Sequence, residues 1–414
     1  MAAQDNWQKS LTFSDRLSVT SKITEAYKKA HPDCPPTDAT KHAKSEEANA
    51  RKLAMTLTEY HELCAKSIGT LLAAATPPPA TSDHSTPERN TLNLPTDGAR
   101  IGPYTNATHH QDGLFSSIHR ALDPKTNTLV ALKITTPSTL PAPHDSHREA
   151  RLLTALTSSK APNIIPLLST FTQQSGPSTN LILALPFLPH PLSTLLATHR
   201  LPHASARPVL HALFTALAHL HSQGIIHRDV KPSNILLATP SGPAYLSDFG
   251  TAWSASDPGS EPAEAKHLEV GTTSYRPPEL LFGRAGYGGE VDLWAAGCVA
   301  AEVVGYASGG LKGGGAGGRT LFDSGDLGSE LALIKSMFEV LGTPDEGVWP
   351  EAPTLPDWGK MRFTRYAGKA WAEILPGATA EARGLVSKLV VFESGRRLRA
   401  EEALKHPYFT SEEK

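Results

Sequence analysis

Residues 227–234 read HRDVKPSN, and YLSDFG follows at 245–250. The first run comes after a helical pattern, SARPVLHALFTALAHLHSQ (205–223), and a Gly-Ile-Ile. The second closes a short apolar strand. Two carboxylates, a lysine and an amide (Asp229, Asp248, Lys231, Asn234) are thus set on loops between short apolar elements. They can act together only in a fold that brings both loops to one place. The rest of the chain must build that frame, and 414 residues are enough for two or three structural units.

Other classes of protein find little support. The formal net charge is −2 and the isoelectric point is near 6.8, so no global field favours nucleic acid or a membrane surface. No apolar run approaches the length of a membrane-spanning helix. The start, MAAQDNWQKS, has no apolar core of a signal peptide. Cys34, Cys64 and Cys298 are widely spaced, which suggests reduced thiols and a nuclear or cytoplasmic location rather than a disulfide framework. His219 and His221 are two apart in a helical run and point to different faces, a poor start for a zinc site.

Three zones follow one another. Residues 1–75 are polar and helical in pattern. Leu17, Ile23 and Tyr27 fit one helix face; Leu53, Leu57, Tyr60, Cys64, Ile68 and Leu71 fit another, with HPDCPP (31–36) breaking the chain between them. Residues 76–97 are rich in Pro, Ser and Thr and read as a linker. From 98 to 412 strand-like and helix-like patterns alternate. The motifs there are VALK (130–133), HREARLL (147–153), HRDVKPSN, SDFG, VGTTSYRPPELLFG (270–283), VDLWAAG (291–297), LGTPDEGVWP (341–350) and SGRRLRAEEALKHPYF (394–409).

In that order these motifs resemble the eukaryotic protein kinases, and within them the cyclin-dependent kinases. The resemblance implies an α+β bilobal fold preceded by a small helical region, with a β-rich N-lobe at about 98–188 and a helical C-lobe at about 189–412. It implies ATP and Mg²⁺ as cofactors and a serine or threonine hydroxyl of a protein as acceptor. Lys133 would reach the ATP phosphates and pair with Glu149. Ser146 and Glu149 also spell a helix capping box, in which Glu149 would serve only the backbone. Asp229 would accept the hydroxyl proton, and Lys231 would neutralise the transferring group. Asn234 and Asp248 would hold Mg²⁺. Thr272 would bond the catalytic Asp and Lys. Glu279 should pair with Arg397, and Asp292 is a scaffold residue. Gly113, Ile118, Ala131, Leu185, Leu188 and Leu236 would line the nucleotide site. Leu185 would be the gatekeeper, and Leu188 the hinge donor because Pro186 has no N–H.

The sequence departs from the family in two places. Gln111 and Ser116 occupy loop positions that are glycine in the family, where a side chain hinders backbone approach to phosphate. The IGP at 101–103 could open the first strand, with an insertion after it. In the activation segment, His267 falls where the family has a phosphothreonine. Arg148 and Arg228 are two members of the arginine cluster that would bind that phosphate; Trp253 takes the third place. A neutral histidine supplies none of the phosphate's charge, so Asp257, Glu261, Glu264 or Glu269 would stand in, or packing would order the segment. The expectation is activity without activation-segment phosphorylation.

The wording DFGTAW and GTTSYRPPELLFG resembles fungal-type monomeric kinases that activate cyclin-dependent kinases, which makes such a kinase a candidate substrate. HDSHREARLL lacks the PSTAIRE wording of classical cyclin partners, which weighs against cyclin dependence. Trp7, DRLSVTSKI and EEANARKLAMTLTEYHEL resemble a KIX-type helical module, so the N-terminal region could bind a protein partner; an idiosyncratic helical extension is the plainer alternative. A pseudokinase scaffold is the alternative for the whole chain, favoured by the altered glycine loop and opposed by the intact catalytic residues.

Overall fold

The computed structural model describes residues 13–31, 36–54, several positions between 60 and 71, 98–113, 115–312, 320–325 and 328–411. The chain divides into two compact units, Met1–Thr91 and Leu92–Lys414.

In the first unit helices α1 (Phe13–Ala30) and α2 (Pro36–Leu53) pack together. Val19, Ile23 and Ala26 recur at helical spacing and are buried, as are Ala39, Ala43 and Ala50 of α2. Pro36, the last residue of the HPDCPP break, opens α2, where its missing N–H needs no partner. The expected helical run EEANARKLAMTLTEYHEL is interrupted, because α2 ends at Leu53 and Ala54 is not helical. Tyr60 and Cys64 are buried beyond it. Glu47 is buried too, and accepts from Arg16 Nε (2.9 Å) and Tyr60 Oη (3.3 Å). The side chains of Leu17 and Leu57, and the expected linker at 76–97, lie outside the described residues.

The second unit opens with a six-stranded antiparallel sheet in the order β1-β2-β3-β4-β6-β5. Its strands are β1 (Ala99–Ile101), β2 (Tyr104–Asp112), β3 (Ser116–Asp123), β4 (Thr128–Thr135), β5 (Ser169–Ser175) and β6 (Ser178–Pro186). Tyr104, Ala107, Ala121, Val130, Leu132, Ile182 and Ala184 form a core of their own on this sheet. The IGP segment does not open the strand that leads to the glycine loop. Ile101 ends the separate strand β1, which pairs back on β2 with Ile101 opposite Tyr104. Helix α3 (Ser146–Ser158) is the one long helix of this lobe among the described residues.

Below lies a larger helical lobe. Helix α4 (Ala206–Ser222) buries Val209, Leu210, Leu213, Phe214, Leu217 and Leu220. Helix α5 (Glu290–Ala307) is buried from Val291 to Gly305 and apolar nearly all round, as a central helix must be. Short strands β7 (His190–Pro191), β9 (Ile235–Leu237) and β10 (Ala244–Leu246) form one small sheet; β8 (Ile225–Ile226) and β11 (Trp253–Ser254) pair separately. Helix α6 (Glu330–Leu341) and the LGTPDEGVWP run after it close the lobe, with Trp349 and Trp358 edge-on to Phe282. Glu279 and Arg397 meet at 2.5 and 2.7 Å with both side chains fully buried. Among the described residues no helix is long and apolar enough to cross a membrane.

Candidate active site

The HRDVKPSN loop is held from beneath by one carboxylate. Asp292, near the start of α5, accepts from the backbone N–H of His227 (2.9 Å) and Arg228 (2.8 Å) and bonds His221 Nε2 (2.9 Å). His221 thus belongs to the scaffold. Arg228 has a φ of +68° and Asp248 a φ of +63°, a left-handed backbone that costs a non-glycine residue about 1 kcal/mol or more. Both are held by the surroundings. His227 Nε2 lies 2.9 Å from Ser247 O, and its ring meets Phe249 at 4.9 Å.

This strapping presents Asp229 to the cleft. Its Oδ1 accepts from the Thr272 backbone N–H (3.0 Å) and hydroxyl (2.9 Å). Lys231 Nζ donates to Thr272 Oγ1 (2.7 Å) and lies 2.8 Å from Asp229 Oδ2. Asn234 Nδ2 donates to the Asp229 carbonyl (2.8 Å) and Oδ2 (3.0 Å). The acid, the lysine, the amide and the threonine of the activation segment therefore form one bonded group.

The second group lies opposite. Lys133 Nζ donates to both Glu149 oxygens (2.7 and 2.8 Å) and to Asp248 Oδ1 (2.8 Å). Burial alone would lower the lysine's pKa; the carboxylates of Asp248 and Glu149 outweigh it and hold the ammonium well above its ordinary range. The protein around Asp248 would push its carboxyl up, but Lys133 outweighs this and holds it well below the usual carboxylate range. Glu149 also accepts from the Phe249 backbone N–H (3.2 Å). The alternative capping box does not form. Asp145, one residue earlier than Ser146, caps α3 by accepting from Arg148 N (2.9 Å), which leaves Glu149 for Lys133.

The groups fit the cofactors that the motifs imply. Asn234 turns its amide nitrogen to Asp229 and so its amide oxygen away, while its backbone carbonyl accepts from Ser247 N (2.8 Å) and Oγ (2.9 Å). That tie holds Ser247, the residue before Asp248, to Asn234, and the Asp248 side chain is 45 % exposed. A carboxylate and an amide oxygen suit Mg²⁺, which would neutralise phosphate charge there. A Cβ on Gly250 would stand 3.4 Å from Asp248 Oδ1 and 3.8 Å from Lys133 Nζ, inside the charged cluster.

The structure places the other sequence candidates on neighbouring strands and turns. Ile118 on β3 pairs with Lys133, and Ala131 on β4 pairs with Leu185 on β6. Leu236 lies on β9, and Leu188 follows β6 at the junction of the lobes, both packed partly buried against the core. Gly113 N–H donates to Ser116 O (2.7 Å) in the tight β2–β3 connection.

An acid of the activation segment meets the two arginines. Of the four sequence candidates the fold selects Glu261. Its Oε1 accepts from Arg228 Nη1, and its Oε2 lies 3.6 Å from Arg148 Nη1. Trp253, in the third arginine's place, donates from Nε1 to the Glu261 carbonyl (2.8 Å). Asp257 pairs with Arg151 of α3 through two bonds (2.8 and 2.9 Å). Glu264, Glu269 and His267 are exposed. Sequence reading missed Lys266, a buried ammonium between the Trp253 ring (4.4 Å) and the Tyr287 ring (5.2 Å) that donates to Tyr287 O (2.7 Å). A lone lysine in a polar run carries no signal of burial.

A curled sheet above, helices below and these charges between them define the protein kinase class. A protein kinase domain model matches residues 111–409. Similar proteins include the serine/threonine-protein kinase csk1 of Schizosaccharomyces pombe, 34% identical over 293 residues, which covers 70% of this chain and 89% of that one. Another is cyclin-dependent kinase B2-1 of Oryza sativa, 29% identical over 309 residues, covering 72% and 87%. Among solved structures, the yeast RNA Pol II CTD kinase CTDK-1 complex aligns with a TM-score of 0.62 at 25% identity, covering 78% of this chain and 98% of that one. The chain belongs to the protein kinase family, as a serine/threonine kinase of the cyclin-dependent kinase group.

Proposed function

We propose that this kinase is catalytically active, that it works without phosphate on its activation segment, and that it phosphorylates other cyclin-dependent kinases. The observation that carries the first point is the bonded group of Asp229, Lys231, Asn234 and Thr272 opposite the Lys133–Glu149–Asp248 cluster. Asp229 accepts the proton of the substrate hydroxyl, Lys231 and Lys133 balance phosphate charge, and Asn234 and Asp248 would hold Mg²⁺, which would neutralise phosphate charge. Positioning and charge stabilisation supply most of the rate. Glu261 supports the second point, because it already supplies an anion to Arg228 and Arg148. Arg151–Asp257 supports it too, since it ties α3 to the activation segment through a carboxylate already in the segment. The substrate proposal rests on the DFGTAW and GTTSYRPPELLFG wording. We place the protein in the nucleus or cytoplasm, with the N-terminal helices as a partner-binding region.

The deciding experiment is a transfer assay with unphosphorylated protein, Mg-ATP, no cyclin and a cyclin-dependent kinase as substrate, beside Asp229→Asn. Transfer by the wild type that is lost in the variant is the expected result. No transfer, and no rise in melting temperature with Mg-ATP, would favour the scaffold reading, to which Gln111 and Ser116 already point.

A further inference from the structure

One aromatic contact bridges two segments that the motifs do not connect. The ring of Phe115, at the tip between β2 and β3, lies 4.7 Å from the His144 imidazole, tilted by 58°. His144 belongs to the connection between β4 and α3, and that connection is firmly tied. The His144 N–H donates to Pro141 O (3.0 Å), the Asp145 N–H donates to Gly250 O (3.0 Å), and Arg148 Nη2 donates to Pro143 O (2.6 Å). The base of the imidazole is thereby fixed to the Asp-Phe-Gly loop on one side and to α3 on the other. Its ring is half-buried. Burial lowers its pKa, and the charges that act on it are those of Asp248, Lys133, Asp229 and Lys231.

The hairpin tip is compact on its near side, where a Cβ on Gly113 would stand 2.8 Å from Ser116 Oγ. We propose that Phe115 and His144 form an aromatic latch that holds the β2–β3 tip over the phosphate end of the cleft. The latch compensates for Gln111 and Ser116, which occupy loop positions where the family has glycine. A loop with glycines reaches phosphate through backbone freedom. A loop with side chains at those positions has less of it, and gains from being ordered beforehand by packing. Phe115 and His144 are positioning residues: they act on ATP through the loop. The inference rests on the proposal that this chain binds ATP.

The test uses the full chain and four proteins: wild type, Phe115→Ala, His144→Ala and the double variant. Affinities for Mg-ATP and for adenosine are measured by calorimetry. Hydrogen exchange of the 113–118 amides is followed without nucleotide. A ring pair of this kind shifts an equilibrium by roughly threefold to tenfold. Each single variant should weaken Mg-ATP binding by about that factor, and the double variant by no more than either single. Adenosine affinity should not change. Amide exchange should quicken equally in all three variants, and His144→Phe should behave as wild type in both readouts. If the alanine variants do not fold, Phe115→Leu and His144→Leu replace them with the same expectations. Additive losses, equal losses for adenosine, or unchanged exchange would overturn the latch. Wild type that binds neither ligand would overturn the ATP reading itself, whereas wild type that binds both beside indifferent variants would overturn the latch alone.

Discussion

At the scale of single residues, the cleft works by bonds that leave little slack. Asp229 has three neighbours that fix its carboxylate, Thr272, Asn234 and Lys231. Asp229→Asn keeps the shape and removes the proton acceptor. Transfer should fall by about 10²- to 10⁴-fold with the melting temperature and Mg-ATP affinity preserved, as read by steady-state assay and thermal shift. Glu261 is the residue whose loss should be felt in both folding and turnover. Its side chain is 11 % exposed, and Arg228 beside it is fully buried. Glu261→Ala would leave buried guanidinium groups without their anion, at a cost of about 3 kcal/mol in urea unfolding, together with a loss of kcat. The sign of its pH dependence follows. Burial would raise the Glu261 pKa, but Arg228 outweighs this and holds it below the ordinary value of about 4.5. The stabilisation is therefore complete above about pH 4.5 and is lost as pH falls through the lowered value. Urea midpoints taken down the acid range should drop more steeply for wild type than for Glu261→Gln.

At the scale of elements, the activation segment is a bridge with several footings. Glu261 engages the catalytic loop, Asp257 engages α3, and Lys266 sits between Trp253 and Tyr287. The Glu279–Arg397 pair anchors the far end. Because both partners are fully buried, Arg397→Leu should destabilise the kinase unit by about 3–5 kcal/mol, measured by denaturant unfolding, while the reciprocal exchange of both partners for apolar residues should recover much of it. Legibility varied between elements for physical reasons. Chemistry-bearing loops were readable because few residue types can do their work at that spacing. The extra strand β1 was not, since three residues carry no periodicity. Which residue caps α3 was not legible, because Asp145 and Ser146 are both good caps; Asp145 takes the place and Glu149 bonds Lys133.

At the scale of the whole molecule, the chain consists of two units with separate cores. The composition of 76–97 predicts a linker. Limited trypsin digestion should therefore cut after Arg89 and release a fragment beginning at Asn90, which retains kinase activity on a generic protein substrate if the catalytic unit is self-sufficient. Loss of activity in that fragment would assign the N-terminal helices a role in catalysis rather than partner binding.

The sequence by itself determined the kinase fold and singled out Lys133, Glu149, Asp229, Lys231, Asn234, Asp248 and Thr272 as the candidate site residues. Phosphoryl-transfer chemistry restricts those positions to a few residue types at near-constant offsets, so their pattern survives without any coordinates. What the tertiary structure alone decided is which of four acids meets the arginines, where Lys266 is buried and that Phe115 touches His144. These depend on distances between segments far apart in the chain. Local patterns of charge and hydropathy do not encode such distances; packing of the two lobes' elements does.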